Sequence, residues 1–238
     1  MNETNTSIPV LERSGITATK DGDKASMLNK YFSECFNMAQ PSLLKNDRVN
    51  FEVNGECPVD FMCTEEEVYN MLISLDTAKA NGPDRISAKM LKETATSITP
   101  SLTKLFNISI SSGKFPEKWK LSSIVPIPKA SDRASPSNYR PISLLPVVSK
   151  MLERHFHHLI ADYLSEHHPL VNTQWGFQSG KGTVTALLAT TYGWFTHLEA
   201  GRDVGSVFFD LRKAFDTVSH RALMTKLQKL DVSPFILR

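Results

Sequence analysis

The amino-acid sequence predicts an α+β fold that is rich in helices and contains a short two-stranded hairpin. Several segments repeat apolar residues at intervals of three and four, which is the period of an amphipathic helix. Two short apolar segments, 121–129 and 139–145, are separated by a polar stretch, which is typical of a hairpin. The composition, 41% hydrophobic and 22% charged, is that of a globular protein and excludes collagen-like, coiled-coil and disordered chains.

The first 60 residues carry few periodic apolar positions and predict a loosely ordered lead-in. Within it, the apolar residues of 27–39 are spaced for one short amphipathic helix. A well-defined helix follows, because Thr64 and Glu67 form the pattern of a capping box ahead of an apolar stripe.

The segment KANGPDRIS, residues 79–87, predicts a loop, since it combines the turn dipeptide Asn-Gly with a proline. Two helices are expected next, over 87–93 and 100–110. The second is predicted to have Thr99 as its N-cap, a proline in its first turn and Gly113 as its stop.

The hairpin is expected to be at a sheet edge. Pro126 and Pro128 are two residues apart in the first strand, so the two missing amides lie on one side of the backbone. The second strand, over 139–145, returns after a polar turn.

Three further helices are predicted over 149–167, 182–198 and 219–230, the last with its leucines inside. Between the second and third, residues 206–211 (SVFFDL) form a continuous apolar run, which predicts a central strand buried on both faces. The chain stops at 235–238 on an apolar stretch without a closing element, so we expect it to be cut off.

Charge is distributed unevenly along the chain. Residues 1–70 contain 6 Lys and Arg against 12 Asp and Glu, a net of −6, whereas 71–238 contain 21 against 13, a net of +8. The basic part is the portion that a polyanionic partner such as RNA or DNA would bind. Judged by charge alone, an ordinary surface covered with lysines is the better explanation.

The cysteines predict a reducing compartment. Cys35, Cys57 and Cys63 match neither a secreted disulfide framework nor a four-ligand zinc pattern, so an intracellular location in cytoplasm or nucleus is expected and secretion is not. No stretch approaches the roughly 18 apolar residues of a membrane span, and no membrane partner is expected.

Asp210 is the sharpest candidate for chemistry. A carboxylate at the end of a buried strand is costly unless it is paired or holds a cation, and Mg²⁺ suits a site with one or two protein carboxylates. Pairing with Arg212 or Lys213, or a role in capping the next turn, explains Asp210 equally well. Asp216 is expected to be a turn residue.

Two other patterns do not reach a functional prediction. Residues 176–183 resemble a phosphate-binding loop, but the glycine spacing is short by one and Gly182 follows Lys181 where Ser or Thr is required, which argues against an NTPase. The histidines at positions 155, 157, 158, 167 and 168 lack zinc spacing and are expected to be solvated.

Four segments in order carry a resemblance to a known family. They are KANGPDRI at 79–86, Phe-Pro with Trp-Lys within 115–120, Ile-Pro-Lys through NYRPISL within 127–144, and FD through FD at 209–216. Together they closely resemble the reverse transcriptase of non-LTR (LINE-type) retrotransposons of the jockey and chicken-repeat-like branch. The resemblance covers 61–238, and residues 1–60 look like the variable linker that precedes the polymerase.

The resemblance implies a right-hand polymerase fold, of which this chain is the fingers and the beginning of the palm. It implies an RNA-directed DNA polymerase that uses two Mg²⁺ ions and dNTPs on an RNA template with a DNA primer. Asp210 matches the first catalytic, metal-binding aspartate, and Phe215 matches the steric gate against a ribose 2′-OH. Lys129 and Arg140 match residues that clamp the triphosphate, and Lys213 and Ala214 match positions beside it.

A template and nucleotide pocket is implied at Gln174, Gly176, Phe177 and Gln178. This segment departs from the family pattern, with Gln178 in place of Arg and Gly182 in place of Ser.

The family's second catalytic element, an aromatic residue followed by x-Asp-Asp, is absent, since the sequence contains no Asp-Asp pair. We therefore expect the isolated chain to be inactive as a polymerase. The alternative is a decayed or co-opted module that binds RNA or a protein without catalysis. Oligomeric state, template and target stay open.

Overall fold

The structure is a computed structural model that describes residues 7–38, 58–129, 132–211, 214–215 and 217–237. Cys57, Arg212, Lys213 and Asp216 lie outside the described residues. The chain divides into two compact units, one formed by 1–160 with 215–238 and the other by 161–214.

The described helices and strands, in chain order, are β1 (Leu11–Arg13), β2 (Ile16–Ala18), α1 (Asp21–Met38), α2 (Glu65–Ile73), α3 (Ala88–Glu93), α4 (Ala95–Ser112), β3 (Ser123–Pro128), β4 (Tyr139–Leu144), α5 (Val147–His167), α6 (Thr183–Glu199), α7 (His220–Lys229) and α8 (Pro234–Leu237). Short 3-10 turns lie at Val59–Phe61, Glu117–Lys120 and Pro136–Asn138. The presence of both helices and antiparallel sheet confirms the predicted α+β class. No helix among the described residues is long and apolar enough to cross a membrane.

The larger core of the first unit is formed by α2, α3, α4 and the first half of α5. Leu72, Phe106 and Leu152 are fully buried in it. The predicted capping box at the start of α2 is confirmed, because the Thr64 side chain accepts from the Glu67 amide and the Glu67 carboxylate accepts from the Thr64 amide. Capping satisfies amides that the first helical turn leaves unpaired, so α2 begins where its buried stripe begins.

The predicted start of α4 is wrong. The helix begins at Ala95 rather than at Pro100, and Thr99 is a buried residue inside it rather than its N-cap. Pro100 is tolerated because burial of the face that carries Ala95, Thr99 and Phe106 outweighs the hydrogen bond that a proline removes. The predicted stop is confirmed, since Gly113 ends α4 in the left-handed conformation with φ 62°.

The N-terminal segment is not loosely ordered over 7–38, which corrects the expectation for that part of the lead-in. β1 and β2 pair antiparallel, with Leu11 opposite Ala18, and the predicted short helix is the longer α1. A second, smaller core holds the segment in place. Leu11, Ala18, Leu28 and Phe32 are buried in it together with Tyr139 of β4.

The second unit contains α6 and the last turns of α5. It lacks the strand predicted over 206–211. That segment has no regular structure, and Val207, Phe208, Phe209 and Leu211 are between 76% and 91% exposed. A strand needs a hydrogen-bonded neighbour, and the strands among the described residues pair only as β1–β2 and β3–β4. The prediction from apolar content was therefore wrong for this chain.

Two further predictions, both about the burial of side chains on helices, need correction. α7 lies where it was predicted, but Leu223 is 45% exposed and Leu227 and Leu230 are only half-buried rather than inside. His155 is buried on α5 and is not solvated, because its Nε2 donates to the Phe61 carbonyl at 2.9 Å.

Candidate functional site

The β3–β4 hairpin brings two of the predicted nucleotide-binding residues to one face. Ile127 pairs with Arg140 across the hairpin, and the Lys129 amide continues the ladder by donating to the Asn138 carbonyl at 2.7 Å. Side chains alternate along each strand, so Lys129 and Arg140 share a face as diagonal neighbours, about 7–8 Å apart between backbones. We call this the front face, which also carries Val125, Ile127 and Ile142.

Both cations on the front face are exposed. The Lys129 ammonium donates to the Ser137 carbonyl at 3.2 Å, which holds the side chain over the turn of the hairpin. Within the described ranges neither Lys129 nor Arg140 pairs with a carboxylate. The front face therefore presents two positive charges that an anionic ligand can reach. Arg offers a planar fork suited to phosphate oxygens, and Lys offers a compact charge.

The opposite face of the hairpin, the back face, is held by buried contacts. Tyr139 pairs with Pro128 and points away from Arg140, and it is 2% exposed in the core shared with Leu11 and Phe32. Its hydroxyl donates to the Arg133 carbonyl at 2.8 Å. Burial raises the pKa of Tyr139, so this hydroxyl stays a proton donor at neutral pH.

The second part of the connection between β3 and β4, over 132–138, is held together by Asp132. Its carboxylate accepts from the Ala134 amide at 2.9 Å and from the Asn138 side chain at 3.0 Å. Pro136 is fully buried beneath the turn. These contacts fix the end of the hairpin from which Lys129 projects.

The predicted NGPD loop touches the segment that follows β4. Gly82 is buried, and a β-carbon at this position would lie 2.5 to 2.7 Å from the backbone of Leu145 and Pro146. No other residue type fits such an approach, which explains a glycine there. The loop thereby ties the helical core to the base of the hairpin.

The predicted palm residues are divided between the two compact units. Asp210 is exposed in the second unit, on a segment without regular structure. Ala214 is exposed and also belongs to the second unit. Phe215 belongs to the first unit and is 78% exposed in a turn. Lys213 lies outside the described residues. Burial of Asp210 at a strand end, the physical argument for a metal ligand, is therefore not observed.

The residues described here do not by themselves fit a metal site. Asp210 is a single exposed carboxylate, and no group of three His, Cys, Asp or Glu side chains in the described part of the chain is close enough to hold an ion. Two-metal chemistry requires more than one carboxylate ligand.

The predicted template segment is a loop organised by Lys181. The Lys181 ammonium donates to the carbonyls of Asn172 and Gln174 at 3.2 and 3.3 Å and lies 5.5 Å from the centre of the Trp175 ring. These contacts hold the two ends of the loop together. Gly176 is exposed in the same loop, and the Gln174 side-chain Nε2 donates to its carbonyl at 3.2 Å.

Two residues of this loop stand out. Phe177 is 90% exposed and has a left-handed backbone, with φ 60°. The Gln178 side-chain nitrogen is buried without a hydrogen-bond partner among the described residues. A left-handed backbone is costly for a residue with a bulky side chain.

Sequence analysis missed two features of the site. Tyr139 lies within a recognised motif, but only its contact with Leu11 shows that it anchors the back face. The other feature is a shallow depression of 450 Å³ on α7, lined by Ser219, Arg221, Ala222, Thr225, Lys226 and Lys229. The spacing of these residues on one helix face was a signal that could have identified it.

Comparison with known proteins adds independent information. The family profile for reverse transcriptase (RNA-dependent DNA polymerase) matches residues 127–237. The chain is 32% identical over 171 residues to a probable RNA-directed DNA polymerase from transposon BS of Drosophila melanogaster, covering 71% of this chain and 19% of that protein.

Two further relatives come from mobile elements of the same fly. A probable RNA-directed DNA polymerase from transposon X-element is 28% identical over 95% of this chain and 26% of its own length. The RNA-directed DNA polymerase from mobile element jockey is 29% identical over 70% of this chain and 18% of its own length. The chain thus spans about a quarter or less of these relatives.

Proposed function

The chain belongs to the reverse transcriptases of non-LTR retrotransposons, and we propose that it supplies the fingers and first palm motif of an RNA-directed DNA polymerase. In such a polymerase the 3′-oxygen of a primer attacks the α-phosphate of a dNTP opposite an RNA template, and pyrophosphate leaves. The observation that carries the proposal is the front face of the β3–β4 hairpin, where Lys129 and Arg140 are exposed side by side in a matched reverse transcriptase region.

The role of the front face is to bind the triphosphate of the incoming nucleotide. A dNTP carries several negative charges, and two cations without carboxylate partners in the described structure bind it without first breaking an ion pair. Arg140 holds two phosphate oxygens through its fork, and Lys129 neutralises a third.

Equilibrium binding of a dNTP to the whole chain tests this role. Arg140→Gln and Lys129→Gln each weaken binding about tenfold or more, because each removes a charge-assisted hydrogen bond worth roughly 1.5–3 kcal/mol. The matched controls, Arg154→Gln and Lys104→Gln, remove exposed cations from helices α5 and α4 and leave the affinity unchanged. Equal effects in both pairs would refute a specific nucleotide site on the hairpin.

Asp210 and Phe215 belong to the palm part of the proposal. Asp210 would supply one carboxylate toward a magnesium site, which the described residues do not complete. Phe215 would exclude ribonucleotides by occupying the space of a 2′-OH. Their match to the family pattern in the residues FFDLRKAFD supports these roles. We propose by the same match that Lys213 and Ala214 lie beside the triphosphate.

The 238-residue chain has no polymerase activity on its own, since its sequence contains no Asp-Asp pair to complete the metal site. Incubation of the purified chain with a primed RNA template, dNTPs and Mg²⁺ tests this directly. We expect no extension of the primer. Extension that disappears in Asp210→Asn would overturn the statement of inactivity and support Asp210 as a ligand.

A second candidate, an RNA-binding module without catalysis, is favoured by α7. Arg221, Thr225, Lys226 and Lys229 fall on one arc of this helix and line a shallow depression, opposite the leucines. Lys and Arg on one helix face bind a phosphate backbone by displacing its counterions.

The salt dependence of RNA affinity tests the second candidate. The double variant Lys226→Gln/Lys229→Gln should lower the slope of log affinity against log salt by about 0.7 for each cation removed. Lys104→Gln/Lys118→Gln, two exposed lysines elsewhere in the first unit, is the matched control. If both doubles change the slope equally, α7 is an ordinary solvated face.

A further inference from the structure

The segment 7–35, which contains β1, β2 and most of α1, packs against the β3–β4 hairpin. We call this segment the N-terminal brace. The Glu12 amide donates to the Ala134 carbonyl in the hairpin turn at 2.9 Å. Leu11 is 0% exposed in the small core that contains Tyr139. The brace and the hairpin belong to the same compact unit.

The brace contacts the hairpin at its turn and on its back face. Tyr139 lies on that face, and a cavity of 580 Å³ between α1 and β3 is lined by Phe32 from the helix and by Ile124 and Pro126 from the strand. Ile124 and Pro126 alternate with Val125 and Ile127 of the front face. The brace therefore supports the hairpin from behind and leaves the Lys129 and Arg140 face open.

The brace is itself held together by polar contacts. Arg13 pairs with Glu34 and lies 5.0 Å above the Tyr31 ring, which joins β1 to α1. The Lys24 ammonium donates to the Ile8 carbonyl at 2.8 Å, which joins α1 to the start of the segment. A two-stranded hairpin is marginal in water on its own, so β3–β4 depends on such a support.

We propose that the N-terminal brace positions the nucleotide-binding face, with Tyr139 and Leu11 as the positioning contact between the brace and the hairpin. This inference rests on the nucleotide-binding role proposed for Lys129 and Arg140. Tyr139 and Arg140 are consecutive in β4 and point to opposite faces, so movement of the Tyr139 ring moves the backbone that carries Arg140. The brace thereby sets dNTP affinity without touching the nucleotide.

A pair of matched variants separates positioning from general stability. Leu11→Ala truncates a fully buried leucine against the hairpin, and Leu72→Ala truncates a fully buried leucine in the helical core. Both variants lose stability because both leave a cavity. Each is compared with the parent chain under conditions in which circular dichroism shows that it is folded.

Two readouts are measured on each variant. The first is hydrogen exchange of the β3 and β4 amides, which reports local opening of the hairpin. The second is equilibrium dNTP binding. We expect the hairpin amides of Leu11→Ala to exchange about tenfold faster or more than those of the parent chain. We also expect Leu11→Ala to bind dNTP about tenfold more weakly, a change equal to the loss of one charge-assisted hydrogen bond. Leu72→Ala should change neither the exchange rates nor the dNTP affinity by more than about twofold.

Tyr139→Phe provides a second test if Leu11→Ala does not fold. It keeps the ring in the core and removes only the hydroxyl bond to the Arg133 carbonyl, so it should give a smaller change of the same kind. Unchanged hairpin exchange in both Leu11→Ala and Tyr139→Phe would overturn the brace. Faster hairpin exchange with no effect of Arg140→Gln on dNTP binding would instead refute the nucleotide role and leave the support of the hairpin standing.

Discussion

Gly82 lies so close to Pro146 that a β-carbon on residue 82 would be 2.5 Å from the Pro146 backbone nitrogen. The neighbouring atoms are backbone, which cannot rotate away as the end of a side chain can. The contact joins the loop after α2 to the residues between β4 and α5. It therefore couples the helical core to the hairpin that carries Arg140.

Gly82→Ala should lower the free energy of unfolding by about 3 kcal/mol, at the upper end of overpacking costs, because the backbone must separate to admit the methyl group. Urea denaturation followed by circular dichroism measures the change. Gly22→Ala is the control, since a β-carbon in that helical position meets nothing within 4 Å and should leave stability unchanged or raise it. Equal midpoints for the two variants would show that the close approach is not present in solution.

Asn107→Ala should destabilise the chain by about 1–3 kcal/mol, because it leaves the Cys63 backbone without its partners. The Asn107 side chain accepts from the Cys63 amide at 2.8 Å and donates to the Cys63 carbonyl at 3.0 Å. Asn70→Ala, at an exposed position of α2, is the matched control and should be near neutral. Urea denaturation measures both variants. An unchanged free energy of unfolding in Asn107→Ala would mean that the segment before α2 is held by other contacts.

Stability should fall as the pH rises above about 9. Burial of the Cys63 thiol raises its pKa from 9.0 to about 12, with a smaller contribution from Glu67. Above pH 9 the unfolded thiol loses its proton while the folded thiol keeps it, so the stabilisation is full below pH 9 and is lost as the pH approaches 12. Cys63→Ala should flatten this part of the profile, and an unchanged slope in that variant would assign it to other groups such as Tyr139.

The segment 207–211 should bind an apolar dye, because four of its side chains are more than three-quarters exposed. Phe209→Ser should lower the fluorescence of bound anilinonaphthalene sulfonate. Ile16→Ser, which removes an exposed apolar residue from β2 in the other unit, should not change it. If Phe209→Ser binds as much dye as the parent chain, the apolar side chains of this segment are covered in solution.

Local sequence patterns predicted those elements whose stability is local. The capping box at Thr64 and the left-handed stop at Gly113 depend on neighbouring residues, and each was found. The hairpin around Pro126 was also found, because its turn and its two apolar segments are visible locally. The strand over 206–211 was wrong because a strand depends on partners that apolar content does not specify.

Apart from a helix predicted over 27–39, the N-terminal brace was missed for a related reason. Its two strands have three residues each, too short to show a period, and α1 has polar residues on most of its surface. What orders it is the contact of Leu11 and Phe32 with Tyr139, residues far apart in the sequence. The proposed site has one part of each kind. The motif that contains Arg140 could be recognised from the local sequence, whereas the packing of the N-terminal brace behind it could not.

Photo-crosslinking with an azido-dATP, followed by mass spectrometry of the modified peptides, tests the central claim most directly, because it locates the bound nucleotide. The account predicts that modification concentrates on the front face of the β3–β4 hairpin, in peptides that contain Ile127 to Ile142, and that unlabelled dATP or Arg140→Gln abolishes it. Modification spread over the chain, or concentrated on α7 and unaffected by Arg140→Gln, would contradict it.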